Sequence, residues 1–310
     1  MTDIVETRTI LAEAGIAEAA ALIRAGQPVA VPTETVYGLA ADATNAEAVA
    51  RIYAAKGRPS FNPLIVHVAD LAAAELLAIL DDLARGLAAR FWPGPLTMVL
   101  PARPGNGIAA LATAGLDTIA IRVPAHPVMR ALLVASGRPL AAPSANASGR
   151  ISPTRAAHVL SSLSGRVPLV LDGGATGHGV ESTIVAATGG APVLLRPGPL
   201  TPEELGAETR PRGEGVNAPG QLASHYAPSK PIRLDATEAR PGEWLIGFGA
   251  VAGDETLSAT GSLVEAAAKL FDALHRADAA PGETIAVAPI LAEGLGLAIN
   301  DRLGRAAADR

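Results

Sequence analysis

The chain has 310 residues, 49% of them hydrophobic but only 3% aromatic, and it has no cysteine. That length admits two domains of unequal size, the missing thiols exclude disulfides, cysteine nucleophiles and cysteine zinc sites, and so few rings argue against a surface that stacks on bases. Net charge is -5, with 18 basic and 18 acidic side chains in residues 1–230 against 7 and 12 in residues 231–310, so no broad basic face for duplex DNA is expected, while a local basic pocket remains open.

The start, Met1-Thr2-Asp3-Ile4-Val5-Glu6, has neither the basic region nor the apolar core of a secretion signal. No uncharged apolar run approaches membrane-spanning length, and a soluble, cytoplasmic protein is the expectation. A helix is predicted over 13–26, ending at Gly26, then a strand Val29-Ala30-Val31 stopped by Pro32. Thr33-Glu34-Thr35-Val36-Tyr37-Gly38 follows at the strand end. Thr44 and Glu47 have capping-box spacing for a helix through Ala55, which sets Lys56 and Arg58 in the loop beyond it.

After Pro63, the strand Leu64 to Val68 places Ile65 and His67 on one face and Leu64, Val66 and Val68 on the other. A long helix is predicted from about Leu71 to Trp92, ended by Pro93-Gly94-Pro95, with a strand Leu96 to Leu100 after it. In the strand Thr118 to Val123, Ile119, Ile121 and Val123 face one way, and Thr118 and Arg122 the other. Pro127 and Pro153 are placed as first residues of helices. The segment 141–149 between those helices is small and polar and reads as a site loop.

Strands recur at 169–171, 183–185 and 193–196 around glycine-rich turns, which indicates an α/β or α+β sheet domain over residues 1–206. Residues 207–230 have linker composition, yet contain the specific run His225-Tyr226-Ala227-Pro228. Strands at 244–248 and 284–287, with helices at 262–276 and 295–308, make a smaller α/β domain of 231–310.

Lys56 is one of three lysines beside 22 arginines. An ammonium is a compact point charge and a guanidinium a planar fork, so Lys56 and Arg58 together suit different oxygens of one polyanion, such as a nucleotide phosphate. The run Lys56-Gly57-Arg58 reads equally as a glycine-capped helix end. The sequel Pro59-Ser60-Phe61-Asn62-Pro63 tilts the reading towards a fixed ligand loop. Arg122 alone fits a structural ion pair, and His67 alone a partly buried, satisfied imidazole. Ser144-Ala145-Asn146 suits phosphate or ribose oxygens and also suits an ordinary turn; Glu181-Ser182-Thr183 is similarly open. No phosphate-loop motif, no Gly-x-Gly-x-x-Gly and no paired-histidine metal motif is present.

Taken together, Pro32-Thr33-Glu34-Thr35-Val36-Tyr37-Gly38-Leu39, Lys56-Gly57-Arg58-Pro59 with Asn62-Pro63-Leu64, Ser144-Ala145-Asn146 and Asp172-Gly173-Gly174 to Glu181-Ser182-Thr183 resemble the YrdC-type family. The trailing His225-Tyr226-Ala227-Pro228 and second domain resemble its longer members, the two-domain threonylcarbamoyl-AMP synthases. The resemblance implies a YrdC-like domain with a large twisted mixed sheet flanked by helices, then a smaller Rossmann-like α/β domain. It implies a nucleotidyltransferase joining L-threonine, bicarbonate and ATP into threonylcarbamoyl-AMP and pyrophosphate, for tRNA N6-threonylcarbamoyladenosine made by separate transferase proteins. By position it assigns catalysis to Lys56 and Arg58. It sets ATP near Arg58, Asn62, Thr118, Ser144, Asn146, Ser152, Arg196 and Tyr226, and L-threonine near Thr35, His67, Arg122, Ala142 and Ser182. It implies magnesium with the ATP, ligated mostly by phosphate and water, and the His225-Tyr226 segment as a lid. Ala218-Pro219-Gly220 stands where the family often has Ser-Pro-Gly. The competing reading is a non-catalytic RNA-binding module of the same type, against which the near-neutral first 230 residues and few aromatics argue. A hydrogenase-maturation carbamoyltransferase is a third reading, opposed by the lack of cysteine.

Overall fold

The computed structural model describes residues 5–209 and 225–308, so Ala218-Pro219-Gly220 lies outside the described residues. Ten strands form one mixed sheet: β1 (Arg8–Leu11), β2 (Val29–Val31), β3 (Gly38–Asp42), β4 (Ile65–His67), β5 (Leu96–Pro101), β6 (Thr118–Arg122), β7 (Leu140–Ala141), β8 (Leu169–Asp172), β9 (Thr183–Ala186) and β10 (Val193–Arg196). Their spatial order is β1-β8-β2-β3-β7-β4-β6-β5-β9-β10. Four more strands, β11 (Ile232–Arg233), β12 (Glu243–Gly247), β13 (Glu255–Thr256) and β14 (Thr284–Val287), make a parallel sheet ordered β11-β14-β12-β13. Helices Leu263–Ala279 and Gly296–Ala307 accompany it. The fold is the large mixed sheet and smaller α/β unit that the sequence indicates. No described helix is long and apolar enough to cross a membrane.

The period of two in the central strands sets the two faces of the large sheet. Leu64, Val66, Val68, Ile119, Ile121 and Val123 all enter the main core, while the alternate residues Ile65 and Ala120 join Val99 and Ile184 in a small apolar cluster on the opposite face. His67 and Arg122, opposite each other in the parallel β4–β6 pair, belong to that second face. The cost of burying polar groups there has to be met by partners, and it is on this face that the unusual side chains gather.

Three local expectations are corrected. The helix after β3 runs Ala46–Lys56 and is capped by Asn45, whose Oδ1 accepts from the Glu47 and Ala48 amides, while Thr44 is diverted to Asp42 Oδ1. Lys56 therefore ends that helix, with Gly57 in the left-handed region (φ 60°) as its cap, and only Arg58 lies in the loop. The long helix over 71–92 is two, Leu71–Leu77 and Asp82–Phe91, because Asp81 Oδ1 accepts from the Ala84 amide and starts a new helix while Ile79 N–H pairs with the Pro101 carbonyl. Pro153 does not open a helix: its carbonyl accepts from the Tyr37 amide, and the helix starts only at Ala156.

The second unit packs on the loops of the first. Val36, Ile151 and Val180 share a core with Tyr226, Phe271, Leu270 and Leu274. The backbones touch at Gly179, where a Cβ would stand 2.3 Å from the Ala267 carbonyl oxygen, so only glycine fits. Beside it Arg155 reaches Asp272 (3.1 Å), and the rings of His158 and His275 stack with centroids 3.8 Å apart.

Candidate active site

A narrow cavity opens on the second face of the large sheet. It brings together Thr35, Arg58, His67, Arg122, Ala142, Ser144, Ser182, Arg196 and Tyr226, residues drawn from segments far apart in the chain. Four other expected residues stand one hydrogen bond behind its wall. Lys56 Nζ donates to the Ser144 and Asn146 carbonyls, Arg58 Nε to the Asn62 carbonyl (3.2 Å), the Asn146 amide to the Ser144 carbonyl (3.0 Å), and Ser152 Oγ to Glu181 Oε1 (2.5 Å). Thr118 shares a face with Arg122 but sits at the other end of β6, opposite Pro101, and does not line the cavity.

One side of the cavity is cationic. The helix Ala46–Lys56 delivers Lys56 with 3% exposure, and its amine meets two carbonyls and no carboxylate among the described residues. Arg58 folds back on its own loop, with Nη2 donating to the Pro63 carbonyl (2.9 Å). Burial, with the charge of Arg58 adding to it, draws the Lys56 amine well below its ordinary value, and burial draws Arg58 down to about 10. Arg196 joins from β10, donating to the Ser182 carbonyl and hydroxyl (2.9 and 3.0 Å). Cations crowded together against the cost of desolvation are what an anion site requires.

The other side holds a smaller polar pocket. Arg122 Nη1 donates to Thr35 Oγ1 (2.9 Å) and Nε to the Gly94 carbonyl (3.2 Å). Its Nη2 stands 2.6 Å from Glu34 Oε1 but off alignment, leaving that nitrogen without a hydrogen-bond partner. Burial pushes the Glu34 carboxyl up, yet the Arg122 charge outweighs it and holds the group at about 2. His67, 2% exposed, has an unpartnered Nδ1 and is held neutral, at about 3, by burial and then by Arg122. The imidazole is thus more deeply buried, and less satisfied, than its strand position suggested.

His225 and Tyr226 close the cavity beside the Ser144–Gly149 loop, where the Ala227 amide donates to the Gly149 carbonyl (2.8 Å). Tyr226 takes φ 64°, strained for a side chain with a Cβ, and burial pushes its hydroxyl up to about 12. Unmet hydrogen-bonding capacity converges here: both amide atoms of Asn62, Asn146 Oδ1, His67 Nδ1, Arg122 Nη2, His225 Nδ1 and the Tyr226 hydroxyl are buried without a hydrogen-bond partner among the described residues. Native proteins pair nearly all such atoms, and their concentration around one cavity marks where a polar ligand docks.

Sequence reasoning missed the acidic members of the site, Glu34 and Glu181, as functional groups, and it missed Arg302 altogether. A signal existed for Arg302, because Ala298, Ile299, Arg302, Leu303 and Ala306 fall on one buried helical stripe.

The neutral histidines make acid lability predictable. His67 and His225 sit at about 3 and His158 at about 4, each lowered first by burial from an ordinary 6.5. Below pH 6.5 the unfolded chain takes up protons that the folded chain refuses, so stability falls as pH drops from 6.5 towards 4. Thermal unfolding followed by circular dichroism should show a midpoint that declines over this window; a flat profile would contradict the burial of these rings.

Comparison with known proteins agrees with the geometry. The Sua5–YciO–YrdC family, described as telomere recombination, matches residues 21–198, and the threonylcarbamoyl-AMP synthase C-terminal domain matches residues 194–308. A Bacillus subtilis (strain 168) threonylcarbamoyl-AMP synthase is 43% identical, over 95% of this chain and 93% of its own. One from Pyrococcus abyssi is 42% identical, over 100% of this chain and 99% of its own. The crystal structure of P. abyssi Sua5 complexed with L-threonine superposes with a TM-score of 0.88 at 39% identity, covering 98% of this chain and 97% of that one. With both family matches, full-length relatives and a shared two-sheet architecture, the chain belongs to the Sua5–YciO–YrdC family as a two-domain member.

Proposed function

We propose that this chain is an L-threonylcarbamoyladenylate synthase, which makes threonylcarbamoyl-AMP and pyrophosphate from L-threonine, bicarbonate and ATP. The observation that carries the reading is the buried Lys56–Arg58 pair, which meets carbonyls and no carboxylate among the described residues, beside a separate pocket around Arg122. Two sites in one cavity suit a polyanion and an amino acid. Full-length relatives bear the same activity in their names, and one relative was crystallised with L-threonine.

In this reading the threonine amine attacks bicarbonate to give a carbamate with loss of water. A carbamate oxygen then attacks the α-phosphorus of ATP, and the bond to the β-phosphate oxygen breaks with its electron pair leaving on pyrophosphate. Arg122 pairs with the threonine carboxylate, while Thr35, His67, Ala142 and Ser182 shape its surroundings. Lys56 and Arg58, with Ser144, Asn146 and Arg196, neutralise the triphosphate and the charge that builds as pyrophosphate departs. Asn62 and Ser152 support that wall, and Tyr226 closes it. Leu64 and Ile65 in the cavity lining offer the adenine ring an apolar wall. Holding three reactants in one orientation supplies much of the acceleration, and no covalent enzyme intermediate is needed.

Among the described residues no group of three histidine, aspartate or glutamate side chains could hold a metal ion, and Glu181 is already taken by Ser152 and Arg302. Magnesium in this reading arrives on ATP and stays ligated by phosphate and water. The product feeds separate tRNA threonylcarbamoyl transferase proteins. Purified protein should release pyrophosphate from ATP only when threonine and bicarbonate are both present. Release indifferent to threonine would overturn the assignment.

A further inference from the structure

Helix Gly296–Ala307 of the second unit sends one side chain deep into the first. Arg302 is fully buried: Nε donates to Glu181 Oε2 (2.9 Å), Nη1 donates to the Pro197 carbonyl (2.8 Å) and to Asp301 Oδ2 (2.9 Å), and the guanidinium carbon stands 5.4 Å from the centre of the Tyr226 ring. Glu181 itself lines the cavity, and its other oxygen receives the Ser152 hydroxyl. A carboxylate in the wall of a phosphate site is a liability. Left bare, it repels a triphosphate, or it turns onto the nearest cation and takes that charge out of use.

We propose that Arg302 is a positioning residue: it engages the Glu181 carboxylate so that Glu181 holds Ser152 in place and its charge is not turned against a phosphate in the cavity. The geometry supports a screening role over direct contact, since Arg302 spends Nε and Nη1 on Glu181, Asp301 and Pro197 and does not line the cavity. Asp301 strengthens the arrangement by sharing its carboxylate between Arg302 and Arg305 on the same helix. The second unit thereby sets the charge of a pocket built almost wholly from the first. The inference rests on the ATP assignment above, and its test is chosen to separate the two.

Binding of inorganic tripolyphosphate, followed by calorimetry, reads the site without turnover. Arg302→Met, which keeps volume and loses charge, should weaken tripolyphosphate by at least about tenfold and raise the KM for ATP alike, with the KM for threonine within about twofold. Glu181→Gln together with Arg302→Met should recover affinity to within about threefold of Glu181→Gln alone, because neither charge is then left unpaired. Arg302→Lys, which retains the cation but loses the fork, should bind tripolyphosphate at least about threefold more tightly than Arg302→Met, and remains informative should Arg302→Met fail to fold. Additive losses in the double variant, or an Arg302→Lys protein that binds tripolyphosphate no more tightly than Arg302→Met, would overturn the screening role while leaving the ATP site standing. A wild-type protein that binds threonine but no tripolyphosphate would overturn both.

Discussion

Lys56→Ala should lower pyrophosphate release by at least about 100- to 1000-fold, the scale on which a single preorganised donor to a developing anion acts, while threonine still binds. The reason lies in what Lys56 does not touch. Its amine is buried against the Ser144 and Asn146 carbonyls, with no described carboxylate to justify a charge there. The substitution therefore breaks no ion pair among the described residues, and the fold loses two hydrogen bonds of about 1 kcal/mol each, a shift of several degrees at most in a chain of this size. Calorimetry with threonine, thermal unfolding and a coupled pyrophosphate assay separate the three quantities. A variant that turns over within tenfold of wild type would remove Lys56 from the catalytic set.

The second large effect is expected at Arg122. Arg122→Met should raise the KM for threonine by about 10- to 100-fold, the loss of one charge-assisted pairing with a carboxylate, and should barely move the KM for ATP. It should also change the response to acid. In the wild type the Glu34 carboxyl is held at about 2 against an ordinary 4.5, so its contribution to stability is present above pH 4.5 and is lost as pH falls towards 2. Without Arg122, burial still raises Glu34 while the backbone amides of Ala125 and His126 still favour its charged form. The carboxyl is then held less far below 4.5 than in the wild type, so the variant should lose less stability than the wild type as pH falls from 4.5 towards 2. An unchanged threonine KM would place the amino acid elsewhere in the cavity.

How much of this was legible beforehand depended on the range of the interaction. The alternation in Thr118 to Val123 and in Leu64 to Val68 put Arg122 and His67 on the non-core face, as the structure has them. The register that sets one beside the other belongs to pairing between strands far apart in sequence, and no local pattern encodes it. The cap at Asn45 was misjudged for a different reason: Thr44 and Asn45 compete for the same amides, and a one-residue difference decided the winner. The Glu181–Arg302 contact spans 121 positions and joins two units. Only the mismatch of an arginine on an apolar stripe hinted at it.

The shared core of Val36, Ile151 and Val180 with Phe271 and its neighbours also bears on how the protein can be divided. A fragment stopped after residue 206 would present those three side chains to water next to a Glu181 carboxylate that has lost Arg302. Such an excised piece should self-associate through that bare patch and elute as a polydisperse species, unlike the intact chain. Any shortened version of this chain meant to stand alone would need Val36, Ile151 and Val180 made polar and Glu181 made neutral, so the boundary between its two units is a closed seam and not a point of division.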